Sequence, residues 1–76
     1  MTPRLPSVTA RQLAEFLEGQ GFVRVRQSGS HLTLRRESDG CTATLPMHTG
    51  QDIGRGLLRR ILRDVGLSVD DFYRLR

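Results

Sequence analysis

The chain has 76 residues, room for one small domain spanning 1–76 and none for a separate cofactor domain, and its single cysteine excludes an internal disulfide. Hydrophobic residues make up 37%, and no apolar run nears the roughly 18–20 residues of a membrane span. All twelve basic residues are arginine; against eight acids they leave a net charge of +4, the balance of a domain with a polyanionic partner.

The opening residues lack the apolar stretch of a secretory signal, which places the expected site of action in the cytoplasm. A GC-rich genome would also favour arginine over lysine, but it does not explain the excess of base over acid. Arginine offers a planar fork of donors that grips phosphate bidentately. With one cysteine and two histidines, no zinc-ligand spacing is present, and no metal or cofactor is expected.

Through Val8 the chain reads as an extended lead-in, because Pro3 and Pro6 disfavour helix before them. Thr9 then reads as a helix N-cap, with Gln12 completing a capping box. Ala10, Leu13, Ala14, Phe16 and Leu17 recur at helical spacing, so the first helix runs from Ala10 to Gln20. Gly19 and Gly21 can supply its left-handed cap.

The period then falls to two. Phe22 to Gln27 alternates as a half-buried strand, Ser28-Gly29-Ser30 is turn chemistry, and His31 to Arg36 alternates again. Glu37 to Gly40 is a second turn, and Cys41 to Leu45 forms a third strand that Pro46 ends. Met47 to Ile53 is a loop carrying His48. After Gly54 or Gly56, Leu57, Leu58, Ile61, Leu62 and Val65 make a second helical stripe, which Gly66 stops. Ser68 and Asp71 form a box-like cap on a short final helix through Leu75.

This order predicts an α+β fold, α-β-β-β-α, with a three-stranded antiparallel sheet and the helices packed on one face. Alternation assigns Val23, Val25, Leu32, Leu34, Cys41, Ala43 and Leu45 to the helix side. It assigns Arg24, Arg26, His31, Thr33, Arg35, Thr42 and Thr44 to the open side. Pairing Arg26 with His31 leaves a four-residue loop, and a two-residue slip pairs Arg24 with His31; both registers set an arginine across from the histidine.

Such a pair fits phosphodiester cleavage in RNA, where the 2′-hydroxyl is already the nucleophile. Histidine exchanges protons near neutral pH. His31 would deprotonate that hydroxyl or protonate the leaving oxygen, while Arg26 or Arg24 and the backbone N–H groups of Gly29 and Ser30 steady the phosphate. Ser28 and Arg35 extend the same RNA-binding surface. No carboxylate cluster suggests a two-metal route.

Gly29-Ser30-His31, following Gln20-Gly21-Phe22, resembles the HicA toxins of bacterial toxin–antitoxin pairs. Leu5-Pro6-Ser7-Val8, Leu45-Pro46-Met47-His48, Gly56-Leu57-Leu58-Arg59-Arg60-Ile61-Leu62 and the tail from Gly66 to Phe72 are similar to further segments of that family, in order. Leu57 departs from it, standing where threonine is common. The resemblance implies a double-stranded-RNA-binding-domain-like fold and a metal-independent endoribonuclease cleaving mRNA, with His31 catalytic. It also implies a HicB-type antitoxin partner, encoded in the adjacent reading frame, that covers the active face.

Other residues have plainer readings. Cys41 is a small core residue, His48 a loop or capping residue, and Arg59, Arg60 and Arg63 either a solvated face or an extension of the RNA or antitoxin footprint. With Phe16, Phe22 and Phe72 assigned to the core, the open face has no stacking platform, so recognition centres on phosphate and sugar. A non-catalytic RNA-binding module and a protein-binding adaptor are the competing classes of function. Loss of cleavage with retained binding in His31→Ala separates the first from an enzyme, and salt-insensitive or absent RNA binding would mark the second.

Overall fold

The computed structural model describes residues 8–47 and 52–76. Its elements are β1 (Val8–Thr9), α1 (Ala10–Gly19), β2 (Phe22–Ser28), β3 (His31–Arg36), β4 (Cys41–Pro46), β5 (Asp52–Ile53), α2 (Arg55–Asp64) and α3 (Val69–Leu75). The expected α-β-β-β-α order and terminal helix are present, with β2-β3-β4 as an antiparallel sheet. A second, two-stranded sheet pairs β1 with β5, setting Val8 opposite Ile53 and Thr9 opposite Asp52. The sequence predicts an extended lead-in and a loop at these positions. Two-residue strands are too short to show alternation, and what holds this pair is burial of Val8 and Ile53 in the common core. His48 and the lead-in before Val8 lie outside the described residues.

Local chemistry sets the helix ends. The Thr9 hydroxyl accepts from the Gln12 N–H at 3.1 Å while the Thr9 N–H donates to Gln12 Oε1 at 3.0 Å. Ser68 and Asp71 repeat that reciprocal pair at 3.0 Å each way. At the end of α2 the Leu67 N–H donates to the Leu62 carbonyl and the Gly66 N–H to the Arg63 carbonyl. Gly66 has φ +79°, so this is a Schellman stop.

Leu13, Ala14 and Leu17 of α1 and Leu58, Ile61, Leu62 and Val65, running from α2 into its C-cap, meet Leu32, Leu34, Ala43 and Leu45 of the sheet, with Phe22 and Phe72 closing the core. Phe16 lies half-buried, edge-on to Phe72 at 4.8 Å. Cys41 is also half-buried, its thiol donating to the Asp64 carbonyl at 3.3 Å.

β2 departs from the expected alternation. Val23 and Val25, assigned to the helix side, are 45% and 49% exposed, and Phe22 is buried instead. The segment Phe22-Val23-Arg24-Val25 offers two frames, one burying two valines and one burying a phenylalanine. The aromatic ring carries the largest single apolar area, and its frame wins. Arg24 therefore pairs with buried Leu34 and reaches α1, where its Nη2 donates to Glu18 Oε1 at 3.1 Å. The ladder then shifts between Arg24 and Arg26, leaving Val25 as an extra residue in a bulge. Arg26 pairs with Thr33 and returns to the open side.

Candidate nuclease site

Leu32 and Leu34 are buried against the helices, so His31, Thr33 and Arg35 emerge on the other face of β3. The register arranges that face in rows. Ser28, His31 and Pro46 form the first, Arg26, Thr33 and Thr44 the second, and Val23, Arg35 and Thr42 the third. His31 is exposed at the end of the sheet.

The partner expected across from His31 was Arg26 or Arg24, and the structure corrects both registers. Ser28 is directly opposite His31, so the connection is the two-residue turn Gly29-Ser30 rather than a loop of four. Gly29 has φ +58° while Ser30 has no positive φ, the pattern of a II′ turn, which matches the twist of the flanking strands. The bulge at Val25 had no sequence signal, and the tight turn and the bulge together move the arginines.

Arg26 becomes the diagonal neighbour of His31, a relation that puts Cβ atoms roughly 7–8 Å apart and within reach of a long side chain. It has no carboxylate partner among the described residues. Arg24 sits on the helix side, bound to Glu18, and is not part of this face. Arg35 lies two rows away, roughly 13 Å along the strand at about 3.3 Å per residue, and its Nη2 meets Glu37 Oε2 at 3.5 Å. The structure thus gathers His31, Ser28, Arg26 and the Gly29-Ser30 turn, and separates Arg24 and Arg35 from them.

Between Arg26 and β4 the Thr33 and Thr44 hydroxyls stand 3.4 Å apart, a cross-strand hydrogen bond one row below His31. Val23, expected on the core side, pairs with Arg35 and adds apolar surface to this face of β2, while Val25 is exposed in the bulge. Their signal was Phe22, whose burial fixes the frame of everything up to the bulge. Among the described residues no three His, Cys, Asp or Glu side chains converge as metal ligands. No helix among them is long and apolar enough to cross a membrane.

An exposed imidazole, a serine directly opposite, a guanidinium on the diagonal with no carboxylate partner among the described residues and an exposed glycine turn make a surface that can hold a phosphate and act on the bond beside it. The family model described as HicA toxin of bacterial toxin–antitoxin matches residues 10–67, which include this hairpin, the sheet and α2. No match among curated proteins accompanies it.

Proposed function

Because the chain belongs to the HicA toxin family, as the toxin of a toxin–antitoxin pair, we propose that it is a metal-independent endoribonuclease that cleaves mRNA in the cytoplasm, and that a HicB-type antitoxin restrains it. The observation that supports this most directly is the exposed His31 with Ser28 opposite and, on its diagonal, Arg26, which holds no carboxylate among the described residues.

In RNA the attacking group is the 2′-hydroxyl beside the scissile phosphate, so the protein must supply a proton acceptor or donor, charge stabilisation and alignment. The His31 imidazole exchanges the proton, removing it from the 2′-hydroxyl or delivering it to the leaving oxygen. Arg26 lays its guanidinium against the phosphate oxygens as charge builds on them, and the Gly29 and Ser30 N–H groups supply donors at the turn. The hydroxyl of Ser28, the residue paired with His31, holds the ribose or the imidazole in orientation.

Incubation of purified protein with mRNA in excess EDTA tests this reading. Wild type is expected to cut and His31→Ala to bind RNA without cutting. Equal survival of RNA with both proteins overturns the assignment, and cleavage that EDTA abolishes overturns metal independence.

A further inference from the structure

The arginines of α2 are arranged against the stability of the helix that carries them. Elsewhere Arg11, Arg24, Arg35, Arg36 and Arg74 each hold a carboxylate, whereas Arg55, Arg59, Arg60 and Arg63 hold none among the described residues. Arg55 and Arg59 are four positions apart, as are Arg59 and Arg63, and Arg60 and Arg63 are three apart. Each is a like-charge pair of neighbours that weakens a helix. Arg55 also stands in the first turn, where no acid accompanies it and the helix dipole disfavours a cation. Local rules are broken in this way where a function requires it.

Leu58, Ile61 and Leu62 are the buried residues of α2, and Val65 continues their stripe. At 3.6 residues per turn the opposite arc carries Arg59, Arg63 and Arg60 around Gly56, with Arg55 at its border, all exposed. Asp64 and Leu57 turn aside to the groove along β4, which Arg60 also borders. Arg55, Arg59 and Arg63 form a single ridge, one arginine per turn, about 6 Å apart along the axis. On its other flank Arg59 and Arg63 border Ser68, Val69 and Asp70. Asp70 stands in the first turn of α3, where the helix N–H groups favour a carboxylate, and it comes within ion-pair distance of neither arginine.

The ridge starts at the end of the sheet where His31 stands. The other end of α2 is tied down by the Cys41 thiol, which donates to the Asp64 carbonyl at 3.3 Å, and by Arg36 Nη2, which donates to the Val65 carbonyl at 3.5 Å. Arg36 and Cys41 pair at the far end of the ladder from His31 and Pro46. From there α2 runs back about 15 Å beside β4, and Leu57 borders the same groove as Thr44. The start of α2 also follows β5, which pairs with β1 at the start of α1, while the end of α1 leads into Phe22, opposite Arg36. Both routes bring Arg55 to the end of the sheet that holds Ser28, His31 and Pro46.

Charge and composition select the ligand. The exposed arc offers guanidiniums and a glycine; the exposed large apolar residues among those described, Val23, Val25, Leu57 and Leu75, all lie off it. A protein partner needs an apolar centre to its interface, whereas nucleic-acid interfaces are polar and strongly positive. An RNA strand brings one negative charge per nucleotide, so it relieves every repulsion along the ridge, and each guanidinium fork can grip a phosphate bidentately. We propose that Arg55, Arg59 and Arg63 form a second track for the RNA backbone, holding the stretch of substrate that runs on past the phosphate at His31. The proposal rests on RNA being the substrate, but its test reads binding and not cleavage. A protein that holds RNA on α2 without cutting it fails the EDTA assay alone.

Binding is measured in the His31→Ala protein, with a long single-stranded RNA and a trinucleotide as probes, across a series of salt concentrations. Arg59→Gln/Arg63→Gln in that background is expected to weaken binding of the long RNA by about tenfold and to shrink its salt slope by about 0.7 for each arginine. The preference for the long RNA over the trinucleotide should fall by a similar factor. Removing two like-charge contacts should leave the melting temperature at or above that of the parent, so weaker binding is not unfolding. Arg11→Gln/Arg74→Gln takes equal charge from α1 and α3 and should change affinity by no more than about twofold. Unchanged affinity and slope in Arg59→Gln/Arg63→Gln overturn the proposal. So do equal losses in Arg11→Gln/Arg74→Gln, which reduce the effect to net charge. A loss confined to binding of the protein encoded in the adjacent reading frame also overturns it and assigns the ridge to the antitoxin.

Discussion

Arg24 and Arg26, two positions apart in one strand, lie on opposite faces of the sheet. Regular alternation would place them together; the bulge at Val25 separates them, sending Arg24 to Glu18 on α1 and Arg26 to the row beside His31. Their substitutions should therefore part. Arg26→Ala removes the guanidinium nearest the candidate site and is expected to lower RNA cleavage by about 100-fold, the scale of losing one preorganised donor. Arg24→Ala should leave cleavage within about twofold and cost only a few tenths of a kcal/mol, as for other exposed ion pairs. Single-turnover cleavage rates and urea midpoints of both variants check this; equal losses of cleavage would contradict the division of faces.

Most of the fold was legible because its signals are local. Both capping boxes, the Gly66 stop and the two helical stripes need only three- or four-residue spacings, and β3 and β4 show one clear frame each. β2 was not legible in the same way. Its residues support two frames, and the choice depends on which side chain fills the core beneath β2, a tertiary fact. The β1–β5 pair joins segments more than forty residues apart through two residues each, which leaves no periodic trace. For the candidate site the consequence was specific. His31 could be assigned to an exposed position from Leu32 and Leu34 alone, but its neighbours depended on the turn length and on a bulge, and neither alternation nor composition encodes those.

The frame that buries Phe22 carries its own expectation. Phe22→Ala opens the end of the core where Arg36 lies over the ring at 5.0 Å, and such truncations cost about 3–5 kcal/mol. That is comparable to the whole stability of a domain this small, so the variant should be largely unfolded by circular dichroism at room temperature. Val23→Thr and Val25→Thr, on exposed positions, should change stability by no more than about 0.5 kcal/mol. A loss of several kcal/mol at Val23 would restore the alternation that the structure replaces.

Gly29 holds the turn that sets Ser28 against His31. Its φ of +58° is the left-handed region, yet a Cβ there would meet nothing within 4 Å. Gly29→Ala should then cost about 1–2 kcal/mol through backbone conformation alone, with Gly29→Asn losing less because asparagine tolerates that region better. Denaturant unfolding measures the difference. RNA cleavage should fall further in the alanine variant than its stability loss accounts for, because a turn pushed out of II′ geometry changes the register of His31.

Asp39 ties the turn after β3 to the strand it leaves. Its Oδ2 accepts from Arg36 Nη2 at 2.7 Å, and its Oδ1 accepts from Arg36 Nε and from the Cys41 N–H, each at 3.1 Å. The Arg36 fork, and then the Cys41 N–H, hold this carboxyl at about 2, below the ordinary 3.8. A group depressed in the folded state contributes its stabilisation fully above the unfolded value and loses it as pH falls through the folded one. The contribution of Asp39 should therefore be complete above about pH 5 and fade between 3.8 and about 2. Asp71, lowered chiefly by the Ser68 N–H and then by Arg74, adds to the same acid limb. Asp39→Asn keeps the side-chain shape and removes the charge. Its stability deficit against wild type should be constant near neutral pH and shrink towards zero as pH approaches 2, measured by denaturant unfolding across that range. A deficit of constant size down to the lowest pH would assign it to packing in the turn instead of to the charged fork.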